Sequence, residues 1–340
     1  MTANESFTYL IEFQPTGYFF FGSEQSFNTK ERDKYNEELM NYYAKSNYYP
    51  QQTTILGALR YLILVLNNKL NASDKESYIG EKNFNGEHSD SYGKLTKISP
   101  LVIVDDNTGV LTVAPFSKTG NDTEISVDFS TEPHYLSGTK IKTPVLSNFD
   151  HKKFYVDVRW EDQFGVIQSG IYEKPLTKVG LEIGKEEDGF YRQTLYKLKP
   201  AYKFGVWVTF SEALPDYTSP VLLPFGGDQT MAGVSWRKSE NIFNETQVPT
   251  SAITLLSDAF VNSEVLEDID FAINEYTDFR YIHSKKASYY KLNNQTDKSD
   301  KLLLMKRGSV LYSENAERLA IAIRKQIAYR NIGYNYFKYI

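Results

Sequence analysis

The stretch Thr53-Thr-Ile-Leu-Gly-Ala-Leu-Arg60-Tyr-Leu-Ile-Leu-Val-Leu66 decides how the rest of the chain is read. Pro50 stops any earlier element, Thr53 or Thr54 can cap a helix, and apolar residues then run almost all round it. A helix this apolar is predicted to be buried, and Arg60 on it needs a partner or a route to water. A second strong helix is predicted over Glu314–Tyr329, where Leu319, Ile321, Ile323 and Ile327 are apolar. Each half of the chain thus holds one strong helix.

Outward from these helices the pattern is mostly strands. Thr8–Phe13 alternates as a half-buried strand does. Ser99–Val104 and Val110–Pro115 flank the turn Asp105-Asp-Asn-Thr-Gly109 as a hairpin. Phe154–Trp160, Leu176–Ile183, Gly189–Lys197 and Phe204–Phe210 form a series, followed by Val234–Trp236, Ile253–Val261, Leu302–Met305 and Ser309–Tyr312. Lys30–Lys45 is charged and reads as helix-prone. The polar run 67–97 reads as a mobile insertion, and 117–153 as a projecting arm. The pattern argues for an α+β fold with antiparallel sheets, in which a β-α-β-β-α-β unit occurs twice. The two units are expected over 1–215 and 216–340.

Composition and charge narrow the function. The chain has 340 residues, 41% hydrophobic and 24% charged, which is globular composition. With no Cys, a thiolate zinc site, a disulfide and a catalytic thiol are excluded, and a reducing cytoplasm fits. The longest apolar stretch, 56–66, is too short to cross a bilayer, and Met1–Glu12 lacks the pattern of a secretory signal, so no membrane partner is expected. Net charge is −5, but its distribution is uneven. Residues 239–279 hold nine acids and no Lys or Arg, and 280–340 hold thirteen Lys and Arg against four acids. The basic third is either a solvated face or a docking face for a polyanion, with the acidic segment turned to a protein partner. There are 26 Tyr and 21 Phe, some interleaved with Lys as in Tyr334-Asn-Tyr-Phe-Lys338. Such interleaving suits stacked bases over a tracked backbone as well as an ordinary β surface.

No phosphate loop, dinucleotide fingerprint, zincin motif or nucleophile elbow is present. His88, His134, His151 and His283 are scattered, and neither a metal site nor any other cofactor is expected. Asp105-Asp106 sits in a turn, where Asp bonds its own backbone. No acid/base pair stands out.

Four features share one logic. Thr54, Gly57 and Arg60 lie at or near the start of the first helix, where free N–H groups attract phosphate and Gly57 allows close backbone approach; the alternative is a capped core helix with Gly for packing. Phe225-Gly226-Gly227-Asp228-Gln229 can form an anion-binding turn or a plain one. Lys178-Val-Gly180 and Arg307-Gly308-Ser309 each place a cation beside glycine at a strand start. Repeated cation–glycine pairs without a catalytic set suggest a chain that holds a polynucleotide backbone. Lys140 and Lys142 on the arm are further candidates.

These features, in this order, resemble the RAMP superfamily of CRISPR effector proteins. Within it, the similarity is to the type III-B (Cmr) subunit that caps the 5′ end of the guide RNA. The residues that carry it are Tyr49-Pro-Gln-Gln-Thr-Thr-Ile-Leu-Gly-Ala-Leu-Arg60, Lys178-Val-Gly-Leu181 followed by Gly189-Phe-Tyr191, Pro224-Phe-Gly-Gly-Asp228 and Arg307-Gly-Ser-Val310. The family often has Arg where Lys178 stands, and its C-terminal glycine-rich block is reduced here to Asn331-Ile-Gly-Tyr334. The resemblance implies two ferredoxin-like (RRM-like) units with large insertions and a thumb-like arm. It implies a non-catalytic subunit that grips the crRNA 5′ tag and joins the large polymerase-like subunit to the RAMP backbone subunits, meeting target RNA only indirectly. The alternatives are a guide-RNA processing endoribonuclease of the same superfamily, with His134, His151 or His283 as base, and the equivalent subunit of a type III-A or variant type III complex.

Overall fold

The structure, a computed structural model, describes residues 7–22, 25–32, 38–80, 84–87, 92–118, 124–129, 134–137, 139–141, 143–150, 157–182, 189–227, 230–243, 249–283 and 297–340. The fold is α+β, and nearly every strand pairing is antiparallel.

The alternation predicted at Thr8–Phe13 lies in the strand Phe7–Pro15, which is central to the large sheet. Ile11 and Phe13 face one way, into a core shared with Phe204, Val206 and Val208. Leu10 faces the other, against Val102, Val104 and Trp207. The two-residue period of a strand fixes this division. Tyr202–Phe210 lies between Phe7–Pro15 and Val102–Asp105, and Met231–Lys238 pairs on the far side of Phe7–Pro15. With the helix Gln52–Leu66 after the first strand, this is a ferredoxin-like sheet in which the short edge strand Val221–Pro224 occupies the chain interval of the second helix. The helix lays Ile55, Leu56, Leu59, Leu62 and Ile63 into the core. It begins at Gln52 with Gln51 as cap, so Thr53 and Thr54 sit in the first turn and neither caps it.

The second unit realises β-α-β-β-α-β in full. Ala252–Leu255, the helix Ser263–Glu267, Phe271–Ile273, Val310–Tyr312, the helix Ala316–Arg324 and Phe337–Tyr339 follow in chain order. In the sheet the order is Phe271–Ile273, Val310–Tyr312, Ala252–Leu255, Phe337–Tyr339, all antiparallel. The predicted helix 314–329 divides into Ala316–Arg324 and Ile327–Asn331. The Asn315 side chain accepts from the Arg318 N–H and caps the first, while Leu319 and Ile323 pack inward. Ile321 and Ile327, expected on the apolar face, are 49% and 56% exposed.

Several expectations are corrected. The division near residue 215 falls inside the first sheet, because Met231–Lys238 pairs with Phe7–Pro15; the first unit runs to Lys238. The helix-prone run 30–45 forms strand instead, in Gln25–Arg32 and Glu38–Lys45, since these pair with each other and Glu38–Lys45 also pairs with Gly189–Leu195, which overrides helix propensity. They belong to a four-stranded sheet ordered Leu176–Glu182, Gly189–Leu195, Glu38–Lys45, Gln25–Arg32, which holds the one parallel pairing among the described strands. The insertion 67–97 is packed at some of its described residues, while 73–77 are exposed. Tyr92 is buried, and Phe84 is buried with edge-on contacts to Phe279, Tyr281 and Tyr329 of the second unit. The arm is built of two short hairpins, Ser126–Phe129 with Pro144–Ser147 and His134–Leu136 with Thr139–Ile141. It is rooted through Phe116 and Ile125 against Ala252, Ile273, Val310 and Tyr312.

The charge asymmetry resolves in part within the second unit. Asp258 pairs with Arg307, Glu264 with Lys325, Asp268 with Arg318 and Asp278 with Lys301. Four of the nine acids in 239–279 are thus matched by cations from 280–340. Four of the thirteen cations in 280–340 are thus engaged within the second unit, and of these only Arg307 is buried.

Candidate nucleic-acid interface

The four predicted features do not form one site. The Arg307-Gly308-Ser309 turn is interior. The Arg307 guanidinium makes two hydrogen bonds to the Asp258 carboxylate, each at 3.1 Å, and its backbone N–H donates to Asp258 Oδ1 at 3.0 Å. Both side chains have no exposed surface. The guanidinium lies 4.1 Å from the centre of the Tyr49 ring. Gly308 N–H donates to Leu255 O, and its carbonyl accepts from Phe116 N–H. Ser309 is buried and its Oγ donates to Lys306 O at 2.6 Å. The cation–glycine pair here joins the two units, which corrects its assignment to RNA.

Arg60 is likewise structural. Its Nη2 donates to Gly80 O at 2.9 Å, pinning the helix to the segment 76–80, and burial pulls its pKa down. On the same helix Thr54 is half-buried, and its N–H donates back to Gln51 O. Gly57 is exposed, and a Cβ there would meet nothing within 4 Å. The reading of Gly57 as a packing glycine is therefore overturned. Helical Gly costs about 1 kcal/mol relative to Ala. Gly57→Ala should raise the stability of the free chain by about 0.5–1 kcal/mol in a denaturant melt. A fall in stability would mean that the open face is not open.

The Gly226–Gly227 turn is exposed. It connects Val221–Pro224 to Met231–Lys238, and both glycines face solvent. Phe225 anchors it, fully buried and stacked on Phe13 with ring centres 4.8 Å apart. Gly226 has φ +96°, and a Cβ there would press on the Phe21 ring at 2.8 Å, so the position requires glycine. The Gly227 N–H donates to Phe20 O at 2.9 Å and is spent inside the fold, so the turn is not the free anion nest expected. It presents bare backbone instead. Asp228, Gln229 and Lys142 lie outside the described residues, as do His88 and His151.

Lys178 is exposed on Leu176–Glu182, opposite Gln193, and shares a face of the strand with Gly180. This sheet adjoins the glycine turn, because Phe19 bridges to Tyr196 at the end of Gly189–Leu195 and Phe20 bridges to Gly227. Around the junction lie cation–ring pairs that the sequence reading missed. Lys45 stands 5.8 Å from the Tyr48 ring, Arg192 5.8 Å from Tyr43 and Lys197 5.8 Å from Tyr18. Arg192 and Tyr43 are cross-strand neighbours in the parallel pairing. The signal that could have found them is the alternation of rings and cations in 189–197, read together with Tyr42-Tyr43. Lys140 is on the distal hairpin of the arm, away from this surface in sequence and sheet.

Among the described residues, no group of three or more His, Asp or Glu comes together that could hold a metal ion. Asp105 is a turn residue, as predicted: its carboxylate accepts from Asn107 N–H and Thr108 Oγ1. Burial works against the charged form, but these bonds outweigh it and hold the carboxyl below its ordinary range. No described helix is long and apolar enough to cross a membrane.

Fold and surface together define an α+β protein of two ferredoxin-like units with a glycine turn set beside a ring- and cation-bearing sheet. No protein-family model matches the chain, and no curated protein does. Among solved structures it is similar to a chain of the type III-B Cmr-beta complex bound to cognate target RNA, at 13% identity and a TM-score of 0.48, over 98% of this chain and 96% of that one. It is also similar to a chain of that complex bound to cognate target RNA and AMPPnP, at 13% identity and a TM-score of 0.47, over 96% and 94%.

Proposed function

We propose that this chain is a non-catalytic RNA-binding subunit of a type III-B CRISPR ribonucleoprotein complex. It grips the 5′ tag of the guide RNA and bridges the large polymerase-like subunit to the RAMP backbone subunits. The observation that carries the reading is the exposed Gly226–Gly227 turn, locked by buried Phe225 and bordered by the Lys178 strand and three cation–ring pairs. Bare backbone lets a ribose–phosphate strand approach closely, rings offer stacking, and cations position phosphates. The motif resemblance at Tyr49–Arg60 and Pro224–Asp228 supplies the class of complex.

Gly227→Asp tests the turn. An ideal Cβ at Gly227 comes no nearer than 3.5 Å to Phe20, so the fold accepts the side chain. The expected result is an unchanged melting midpoint and about tenfold weaker binding of a single-stranded tag RNA, from the added like charge. Equal Kd in a folded variant would remove the turn from the interface. Incubation with repeat RNA tests the absence of catalysis. Metal-independent cleavage, lost on substitution of His134, His151 or His283 by Ala, would make the chain an endoribonuclease instead.

A further inference from the structure

The sheet of Gln25–Arg32, Glu38–Lys45, Leu176–Glu182 and Gly189–Leu195 turns one face inward, where Ala44 and Leu195 are buried. The two-residue period of the strands puts their neighbours on the opposite face. There Val179, Arg192 and Tyr43 form one row across three strands, and Thr177, Thr194 and Lys45 form the next. Val179 is 63% exposed and Tyr43 37%, and Thr177, Arg192 and Lys45 are exposed as well. Tyr43 does not stand up from this face. Its hydroxyl lies 3.4 Å from the Oγ1 of Thr194, which is on the adjoining strand and in the next row, so the ring leans across the sheet. The Arg192 guanidinium is 5.8 Å from the ring centre, beyond stacking contact. These six residues include two cations and no acid. The face continues toward the glycine turn, since Tyr196, two residues past Thr194, bridges to Phe19 and the adjacent Phe20 bridges to Gly227.

We propose that this sheet face is a stacking platform for single-stranded RNA, on which the Tyr43 ring takes one base of any identity and Arg192 holds a neighbouring phosphate. The proposal rests on the RNA-binding reading and says where a base sits and how it is read. A ring laid along a sheet offers its flat face, and every base has a π-face to set against it. Reading base identity would need hydrogen-bonding groups around the ring. The two rows supply only the hydroxyls of Thr177 and Thr194, and the latter is turned to Tyr43. Stacking here is therefore tolerant of sequence. Two cations without an acid favour a polyanion over an apolar protein surface, which would have to strip water from both charges. Arg192 is exposed and long, so its guanidinium can leave the ring for a phosphate, which it meets with paired N–H donors. The glycine turn then admits the backbone of the strand, and the sheet carries the strand onward by stacking.

The test uses the full chain, titrated by fluorescence anisotropy with single-stranded RNA octamers of varied sequence at several salt concentrations. Tyr43→Ala is expected to weaken binding about tenfold, by the same factor for every octamer, with the slope of affinity against salt unchanged. Tyr43→Leu keeps an apolar side chain on the strand and should lose as much, with the melting midpoint unchanged, whereas Tyr43→Phe should stay within about threefold of wild type. Arg192→Gln should weaken binding and lower the salt slope by about 0.7, the share of one phosphate on a single strand. An octamer carrying 2-aminopurine should be quenched by wild type and less by Tyr43→Leu. Wild-type affinity in both Tyr43→Ala and Tyr43→Leu overturns the platform, and salt-dependent binding by the wild type then leaves the RNA-binding reading standing. A base preference that vanishes in Tyr43→Leu overturns it too, since the ring would belong to a selective pocket. If RNA binding is unchanged but protein subunits co-expressed from neighbouring genes no longer co-purify, the face belongs to a protein partner and the proposal falls. If the wild type binds no octamer, the RNA-binding reading fails and the platform with it.

Discussion

Arg307→Ala is expected to cost the fold about 3–5 kcal/mol in urea unfolding, the loss typical of a buried ion pair broken from one side. Arg307 and Asp258 have no solvent-exposed surface, so neither charge can turn to water when the other is removed. Asp258 would retain the Arg307 backbone N–H and lose both guanidinium bonds. Tyr49 would lose the cation against its ring, which opens the wall between the units. Arg307→Lys should recover only part of the loss, because one ammonium cannot reproduce the paired guanidinium contact. Replacing both partners, as Arg307→Met with Asp258→Leu, should restore much of the stability, since the burial penalty then disappears with the pair. If the single variant loses less than about 1 kcal/mol, the pair does not hold the units together.

What the sequence could show, and what it could not, follows the range of the interactions. The strand Phe7–Pro15 and the helix Gln52–Leu66 were legible because their periodicities are local. The Gly226–Gly227 turn was legible as a turn for the same reason. Its use of the Gly227 N–H was not, because the acceptor, Phe20 O, is supplied by a distant segment. Arg307-Gly308 looks alike in sequence whether its cation faces RNA or a carboxylate. The carboxylate is Asp258, 49 residues earlier in the acidic segment. Four acids of the first charge block prove to be partners of four cations of the second. The strands in 25–45 were hidden because their residues favour helix and the second partner of Glu38–Lys45, Gly189–Leu195, is remote in sequence. Gln52 shows the same limit. It reads as a polar residue beside a helix start, yet it is wholly buried and its Nε2 donates to Ser99 O and Gly333 O.

That last contact sets the second large effect. Gly333→Ala is expected to destabilise the chain by at least about 3 kcal/mol and to uncouple the two units. Gly333 has φ +94°, a conformation that costs an L-residue roughly 1–3 kcal/mol. An ideal Cβ there falls 2.3 Å from Ser99 O and 2.4 Å from Gln52 Nε2. The first of these is backbone and cannot swing aside, so the amide bridge from Gln52 must break or the chain must part. Either response strands buried carbonyls, each costing about 1–3 kcal/mol. The neighbouring Tyr334 hydroxyl, which donates to Gln51 Oε1, would be displaced with it. Thermal unfolding should change from one transition to two, and proteolysis should gain a cut between 239 and 251, where the first sheet ends and the second begins. The same Gly-to-Ala exchange at Gly57 is expected to act with the opposite sign, because there the added methyl enters open space on a helix. A Gly333→Ala chain that melts in one transition at the wild-type midpoint would show that the units are joined elsewhere.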